Sequence, residues 1–314
     1  MNQATKVWDL WSRFWFERPA VYSLAAFRIL FGVYLFGYVS RDAFRVELLY
    51  SQTGVYSPYL MPDIAPGAGV ATLIYASWLA LTLLFMLGVR TRIVTPLLFA
   101  AHLYHYGLNI AVVHTSFDRL NLLFLLYLCF GSSDRVWSVS AWLAKRAGHT
   151  IHPAEVSAST EAHGRALEGS NFASRLIQMQ LAVFYFGVGL WKLLNPLWHS
   201  GDILFYNFIG MWAMPAGFWV IGLGLPSWLL DLSAWSVTAL ELSLGFALFV
   251  KRLRPFAVLA GATFQISIYL TLDFPEFFVC IFAYVLYFDD ETIRGAVDRV
   301  RRFFRLEGAS IEAT

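Results

Sequence analysis

Apolar stretches long enough to cross a lipid bilayer recur along the whole chain, at residues 20–39, 68–88, 93–113, 120–137, 173–192, 227–250, 255–272 and 275–288. A crossing helix takes about 20 residues and satisfies every backbone polar group within itself, because hydrocarbon offers no partner. The pattern predicts an all-α protein, a multi-pass transmembrane helical bundle of about eight spans, whose short last segment tilts or thins the bilayer locally. Composition fits this: 58% of residues are hydrophobic and 14% charged, whereas soluble domains carry about 25% charged residues. Cys129 and Cys280 both fall inside apolar segments, so neither a disulfide framework nor a zinc-type spacing is present. The chain has no phosphate-cradling glycine loop and no nucleic-acid motif, which excludes nucleic acid as a partner, and the lack of an internal repeat argues against a transporter.

The two ends read differently from the spans. Residues 1–19 are expected to form a cytoplasmic interfacial helix, with Trp8, Trp11, Phe14 and Trp15 on one side, Asp9, Ser12 and Arg13 on the other, and Pro19 as its stop. That is not the pattern of a cleavable signal peptide. Residues 291–314 read as a basic amphipathic tail on which Ile293, Val297, Val300 and Phe304 share a face beside arginines, which suits anionic inner-leaflet lipid. Between them lies a transmembrane domain, residues 20–290, interrupted at 138–172 by small polar residues that read as a flexible cytoplasmic loop. Lys6, Arg13, Arg18, Arg90, Arg92, the basic residues between 135 and 175, Lys251, Arg252, Arg254 and the tail arginines fall on one side of this topology. Only Arg41 and Arg45 fall on the other. The positive-inside rule then makes both termini cytoplasmic, in a bacterial-type inner membrane. A crossing at 203–222 would upset that bias, so this apolar run is expected to be a re-entrant or interfacial pair of short helices broken at Pro215.

Polar residues inside the spans are the candidates for function, because each is expensive in hydrocarbon and is usually placed against a partner or a wet cavity. Gln178, Tyr185 and Lys192 recur every seven residues and so share a helical face. Lys192 lies at the outer end of its span, just before Asn195-Pro196. It either snorkels to the headgroups or serves as a base. His102, His105 and Asn109 share another face. No carboxylate sits at a ligand spacing on that helix, so interhelical hydrogen bonding is preferred over a metal there. His114, Asp118, Arg119 and Asn121 gather at the same end, and Asp231 lies in the outer third of a later span. Together with His105, Asn109 and Tyr185 they are the candidates for an outward-facing substrate pocket. Arg28 is expected to be structural, in an ion pair with Glu241 or Asp231 that locks two helices together.

Four stretches in this order, AFRILFGVYLFGYVSRD, FMLGVRTRIVTPLLFA, HTSFDRLNLLFLLYLCFGSSDRVWSVS and QMQLAVFYFGVGLWKLLNPLWHSGD, resemble the horizontally transferred transmembrane (HTTM) domain family. That family includes the membrane part of the vitamin K-dependent gamma-carboxylases and membrane proteins for maturation of a sporulation-delaying toxin. The resemblance runs from about residue 20 to 290 and implies an outward-facing pocket. In the carboxylases a lysine after a Tyr-Phe, Gly-rich stretch deprotonates a reduced naphthoquinone, and Lys192, after Tyr185-Phe186 and Gly187-Val188-Gly189, matches that lysine. Two features depart from the family pattern. Trp191 stands where the family has a first lysine, and Asp118-Arg119-Leu120 stands where the carboxylases have an Asn-Asn-His run. The carboxylases' propeptide-binding domain is not expected after the last span, and full glutamate carboxylation is accordingly not what the resemblance leads one to expect. The resemblance implies a quinol- or lipid-dependent membrane enzyme with Lys192 as base, its cofactor a reduced naphthoquinone and its substrate a lipid or secreted peptide. The alternative it offers is a non-enzymatic accessory protein for maturation, export or immunity of a secreted peptide.

Overall fold

The computed structural model describes residues 3–16, 20–55, 57, 64–109, 116–148 and 171–311, and among them no strand forms; a single antiparallel bridge joins Ala213 and Leu272. Four helices are long and apolar enough to cross a membrane: α2 (Val21–Ser40), α4 (Ala68–Leu87), α8 (Phe172–Leu194) and α11 (Ser227–Ala247). The remaining helices are α1 (Gln3–Phe16), α3 (Val46–Tyr50), α5 (Thr91–Leu108), α6 (Ser116–Leu128), α7 (Val139–Arg146), α9 (Asp202–Ile209), α10 (Pro215–Gly222), α12 (Arg254–Thr271), α13 (Phe278–Ala283) and α14 (Asp290–Ile311).

The difference from eight expected spans has a local cause. α5 carries His102 and His105, and α12 carries Gln265, all of them turned into the protein and buried. Each polar residue dilutes the apolar signal of its helix. The expected span at 120–137 is reached by the 13-residue α6, and that at 275–288 is broken into 3₁₀ and α segments around α13. The apolar run at 203–222 is two eight-residue helices, α9 and α10, each about 12 Å long and far short of a bilayer. Pro215 opens α10 at a position where its missing N–H costs nothing. Part of the polar connection is ordered: α7 occupies 139–146, capped by Ser138 Oγ on the Ala141 N–H, while residues 149–170 lie outside the described residues.

The chain divides into two compact units, one of residues 1–176 with 288–314, the other of residues 177–287. In the first, α2 packs against α4, α4 against α5, and α5 against α6. Its core is aromatic: Phe27 stacks on Phe31, and Phe85 and Phe124 stand edge-on to Phe31. Such pairs contribute about 0.5–1.5 kcal/mol beyond burial. α2 starts under a carboxylate from the far end of the chain: Asp290 accepts the N–H groups of Val21 and Ser23 at 2.7 and 2.9 Å. A negative charge is favourable there because it meets the unpaired donors of the first helical turn.

α4 ends at Gly88 in the left-handed conformation, φ +70°, with Gly88 and Val89 donating back to the last turn. Glycine is required twice over, because a Cβ would also fall 1.5 Å from Nη1 of the buried Arg28. Arg28 does not find a carboxylate partner in the expected way. Its Nη2 donates to the Trp137 carbonyl at 2.6 Å, tying α2 to the turn after α6.

In the second unit, the part of α8 from Ile177 onward lies against α11 with glycines at the contact. A Cβ on Gly189 would stand 2.9 Å from the Leu242 N, and one on Gly245 would stand 3.0 Å from the Ala182 carbonyl. Small residues let helix backbones approach where the hydrophobic effect no longer drives association. Beyond the end of α8, the chain at Gly201 passes close to Leu230 and Asp231, so α11 continues past the last turn of α8.

Candidate functional site

Gln178, Tyr185 and Lys192 are all buried, so the face predicted from their spacing is the inward face of α8. Lys192 Nζ donates to Glu241 Oε1 of α11 at 2.7 Å. Gly189, one turn before the lysine, and Gly245, one turn after the glutamate, bring the two helices close enough for this pair to form. The indole of Trp198, in the 3₁₀ turn opened by Pro196, lies 4.3 Å from the ammonium, and the Phe264 ring lies at 5.9 Å. A cation over an aromatic face gains up to about 2 kcal/mol when water is excluded. Lys192 is therefore no snorkelling residue: its charge is answered within the unit, well inside α11. Glu241 is answered by Lys192, which corrects the expected Arg28–Glu241 pair.

Below the pair, Tyr185 and Tyr284 share a hydroxyl–hydroxyl hydrogen bond of 2.5 Å, and Gln265 Nε2 donates to the Tyr185 oxygen at 2.7 Å. Tyr284 fits because Gly261 leaves room for its hydroxyl. Two turns deeper, Gln178 Nε2 donates to the Leu286 carbonyl while its own backbone carbonyl accepts from the Tyr287 hydroxyl. Among the described residues three buried atoms of this unit find no partner: Glu241 Oε2, Gln265 Oε1 and Trp198 Nε1. Unmet buried polar atoms are costly, and native proteins keep few of them.

The candidates of the first unit have other tasks. Asn109 Nδ2 donates to the Leu49 and Val55 carbonyls at 2.7 and 2.8 Å, and its Oδ1 accepts from the Ser57 N–H at 3.3 Å. It staples the connection after α3 onto the end of α5. His105 stacks on Trp78 at 4.1 Å, with Tyr50 and Tyr75 edge-on, and its Nδ1 meets the Ala101 carbonyl. Outside the spans, burial and the nearby Asp42 carboxylate push the Tyr50 hydroxyl well above its ordinary range, so it stays a neutral donor. Asp118 accepts from the Tyr38 hydroxyl at 2.5 Å, Asn121 donates to Tyr34 at 3.2 Å, and the exposed Arg119 donates to Tyr106 at 3.0 Å. In the second unit, Asp231 accepts from the Gly201 N–H at 2.6 Å. His114 lies outside the described residues. No group of three or more His, Cys, Asp or Glu that would hold a metal occurs among the described residues.

Trp198, Gln265 and Tyr284 are not among the residues singled out from the sequence. A signal for the Glu241 partnership was present, in the glycines one helical turn from each charge. Compared with known proteins, the chain matches no family model, no curated protein and no solved structure.

Proposed function

We propose that the chain is an integral membrane enzyme of HTTM type, with about eight spans and both termini cytoplasmic, that carries out proton chemistry on a reduced naphthoquinone at Lys192. The observation that supports it most is the buried Lys192–Glu241 pair under the Trp198 ring, with Glu241 Oε2 unpartnered among the described residues. A purely structural ion pair would be expected to close both carboxylate oxygens, since a buried pair offsets its desolvation only when its remaining hydrogen-bonding capacity is met. Lys192, Glu241 and Gln265 would hold the ring's hydroxyl groups, and Trp198 and Phe264 would bracket its faces. Bound there, a reduced naphthoquinone supplies hydroxyl protons and the reducing electrons that oxygen accepts. In the neutral form of the pair, with the shared proton on Glu241, the Lys192 amine would take up a hydroxyl proton at Nζ, leaving an ammonium whose counter-charge is the ring oxygen, with Glu241 a neutral hydrogen-bond partner and the apolar surroundings excluding water. The lower layer of Tyr185, Tyr284 and Gln265 fixes the depth of the site.

The second reading, an accessory protein for a secreted peptide, draws on the first unit. There Asn109, His105 and Asp118 are engaged in backbone and aromatic contacts that need no substrate. Binding separates the two readings. The purified chain in lipid nanodiscs is titrated with a reduced naphthoquinone under anaerobic conditions, alongside Lys192→Ala and Glu241→Gln. Saturable binding that weakens at least tenfold in both variants is expected. Equal binding by all three, or none by any, overturns the enzyme reading and leaves the accessory one.

A further inference from the structure

Two amphipathic helices of the first unit leave apolar faces uncovered, and both belong to the end at which α2 and α8 begin. Phe14, Trp15 and Phe16 at the end of α1 pack against Phe172 and Arg175, the first turn of α8. Asp290, the first residue of α14, caps the first turn of α2. Gly131, just after α6, touches Ala173 and Leu24 and so brings those two helix starts together. Away from these anchor points the apolar residues face outward. Val7, Trp8 and Trp11 of α1 are 66%, 66% and 55% exposed, and Val300, Phe303 and Phe304 of α14 are 56%, 59% and 65% exposed.

On α14 the charges are arranged around that stripe. At 100° per residue, Arg294 and Arg301 border one edge of the arc formed by Ile293, Val297, Val300 and Phe304, and Arg299 borders the other beyond Phe303. An apolar stripe with arginines on both edges matches one partner, a bilayer surface whose acyl chains take the stripe while anionic headgroups take the guanidiniums. We propose that α1 and α14 lie in the leaflet surface at the start of α2 and α8, and that α14 selects anionic phospholipid there. This rests only on α2 and α8 crossing the membrane, so it stands or falls separately from the chemistry at Lys192.

The test uses the full chain in nanodiscs of phosphatidylcholine alone or mixed with phosphatidylglycerol, with backbone hydrogen exchange followed across α14. Each arginine at an anionic surface favours the bound helix by about fivefold at low salt, so slower exchange in the anionic discs, lost again at high salt, is expected. The variant R294Q/R299Q/R301Q/R302Q, which leaves the Asp290 cap intact, should exchange alike in both lipids. Phe303→Ser/Phe304→Ser should exchange fast in both. Exchange that ignores lipid charge in the wild type overturns the proposal. So does protection that follows protein concentration at fixed lipid, because the occupant is then a second copy. If the quadruple variant fails to fold, the wild-type comparison between lipids and salts decides alone.

Discussion

The two units answer their buried cations differently, Arg28 with a backbone carbonyl and Lys192 with a carboxylate. In the first unit Arg28 takes the Trp137 carbonyl, Asn109 takes the Leu49 and Val55 carbonyls, and the half-buried Asp134 takes the Thr91 N–H. These are staples that fix turns and connections to helix ends. In the second unit the charged pair is side chain to side chain, Lys192 on Glu241, with an aromatic ring over the cation. A backbone carbonyl does not change its protonation state, whereas a pair of side chains can exchange a proton or admit a third group.

The largest break in that comparison is expected from Lys192→Met. It strands the Glu241 carboxylate in an apolar surrounding, and removing one partner of a buried pair costs about 3–5 kcal/mol. Thermal unfolding in detergent should show this loss, and Lys192→Met/Glu241→Gln should recover most of it, because the uncompensated charge has gone. A double variant no better than the single would mean that the pair is not the main interaction of either residue. Next comes Asn109→Ala, which leaves two carbonyls and an N–H without their partner, a loss on the order of 3 kcal/mol. Its unfolding temperature should fall while quinol binding by the folded fraction stays unchanged. A binding defect there would move Asn109 from staple to site. Gly189→Ala should be smaller, about 1–3 kcal/mol, since its Cβ would press on Leu242 and Glu241. Its signature is a binding loss larger than the stability loss explains, because it displaces the carboxylate that holds Lys192.

Four helices long and apolar enough to cross a membrane were legible because hydropathy and length are properties of the chain. The inward face of α8 was legible too, from the seven-residue repeat of Gln178, Tyr185 and Lys192. The pairing was not. Counting along α8 places Lys192 at a rim, and it reaches a glutamate well inside α11 only because α11 continues past the end of α8, beside Gly201. Relative displacement of two helices leaves no trace in either sequence alone, so Glu241 was assigned to Arg28 on charge. Asn109 reads as a pocket residue for the same kind of reason. Its three contacts come from the connection at 49–57, whose return to the end of α5 is a tertiary event.

The smallest expected effect bears most directly on how the site differs from a staple. Trp198 presents its face to Lys192 Nζ at 4.3 Å, yet its buried Nε1 donates to nothing among the described residues. A residue that served only to screen the cation would need the face and not the N–H. Trp198→Phe keeps most of the face and removes the donor; Trp198→Leu removes both. Loss of the cation–aromatic contact should cost about 0.5–2 kcal/mol in Trp198→Leu and much less in Trp198→Phe. Stability therefore ranks the wild type and Trp198→Phe together, above Trp198→Leu. If the indole N–H is there for a bound ring, quinol binding ranks them differently, with both variants weakened. If binding follows stability through all three proteins, Trp198 is a lid on an ion pair and the donor has no part in recognition.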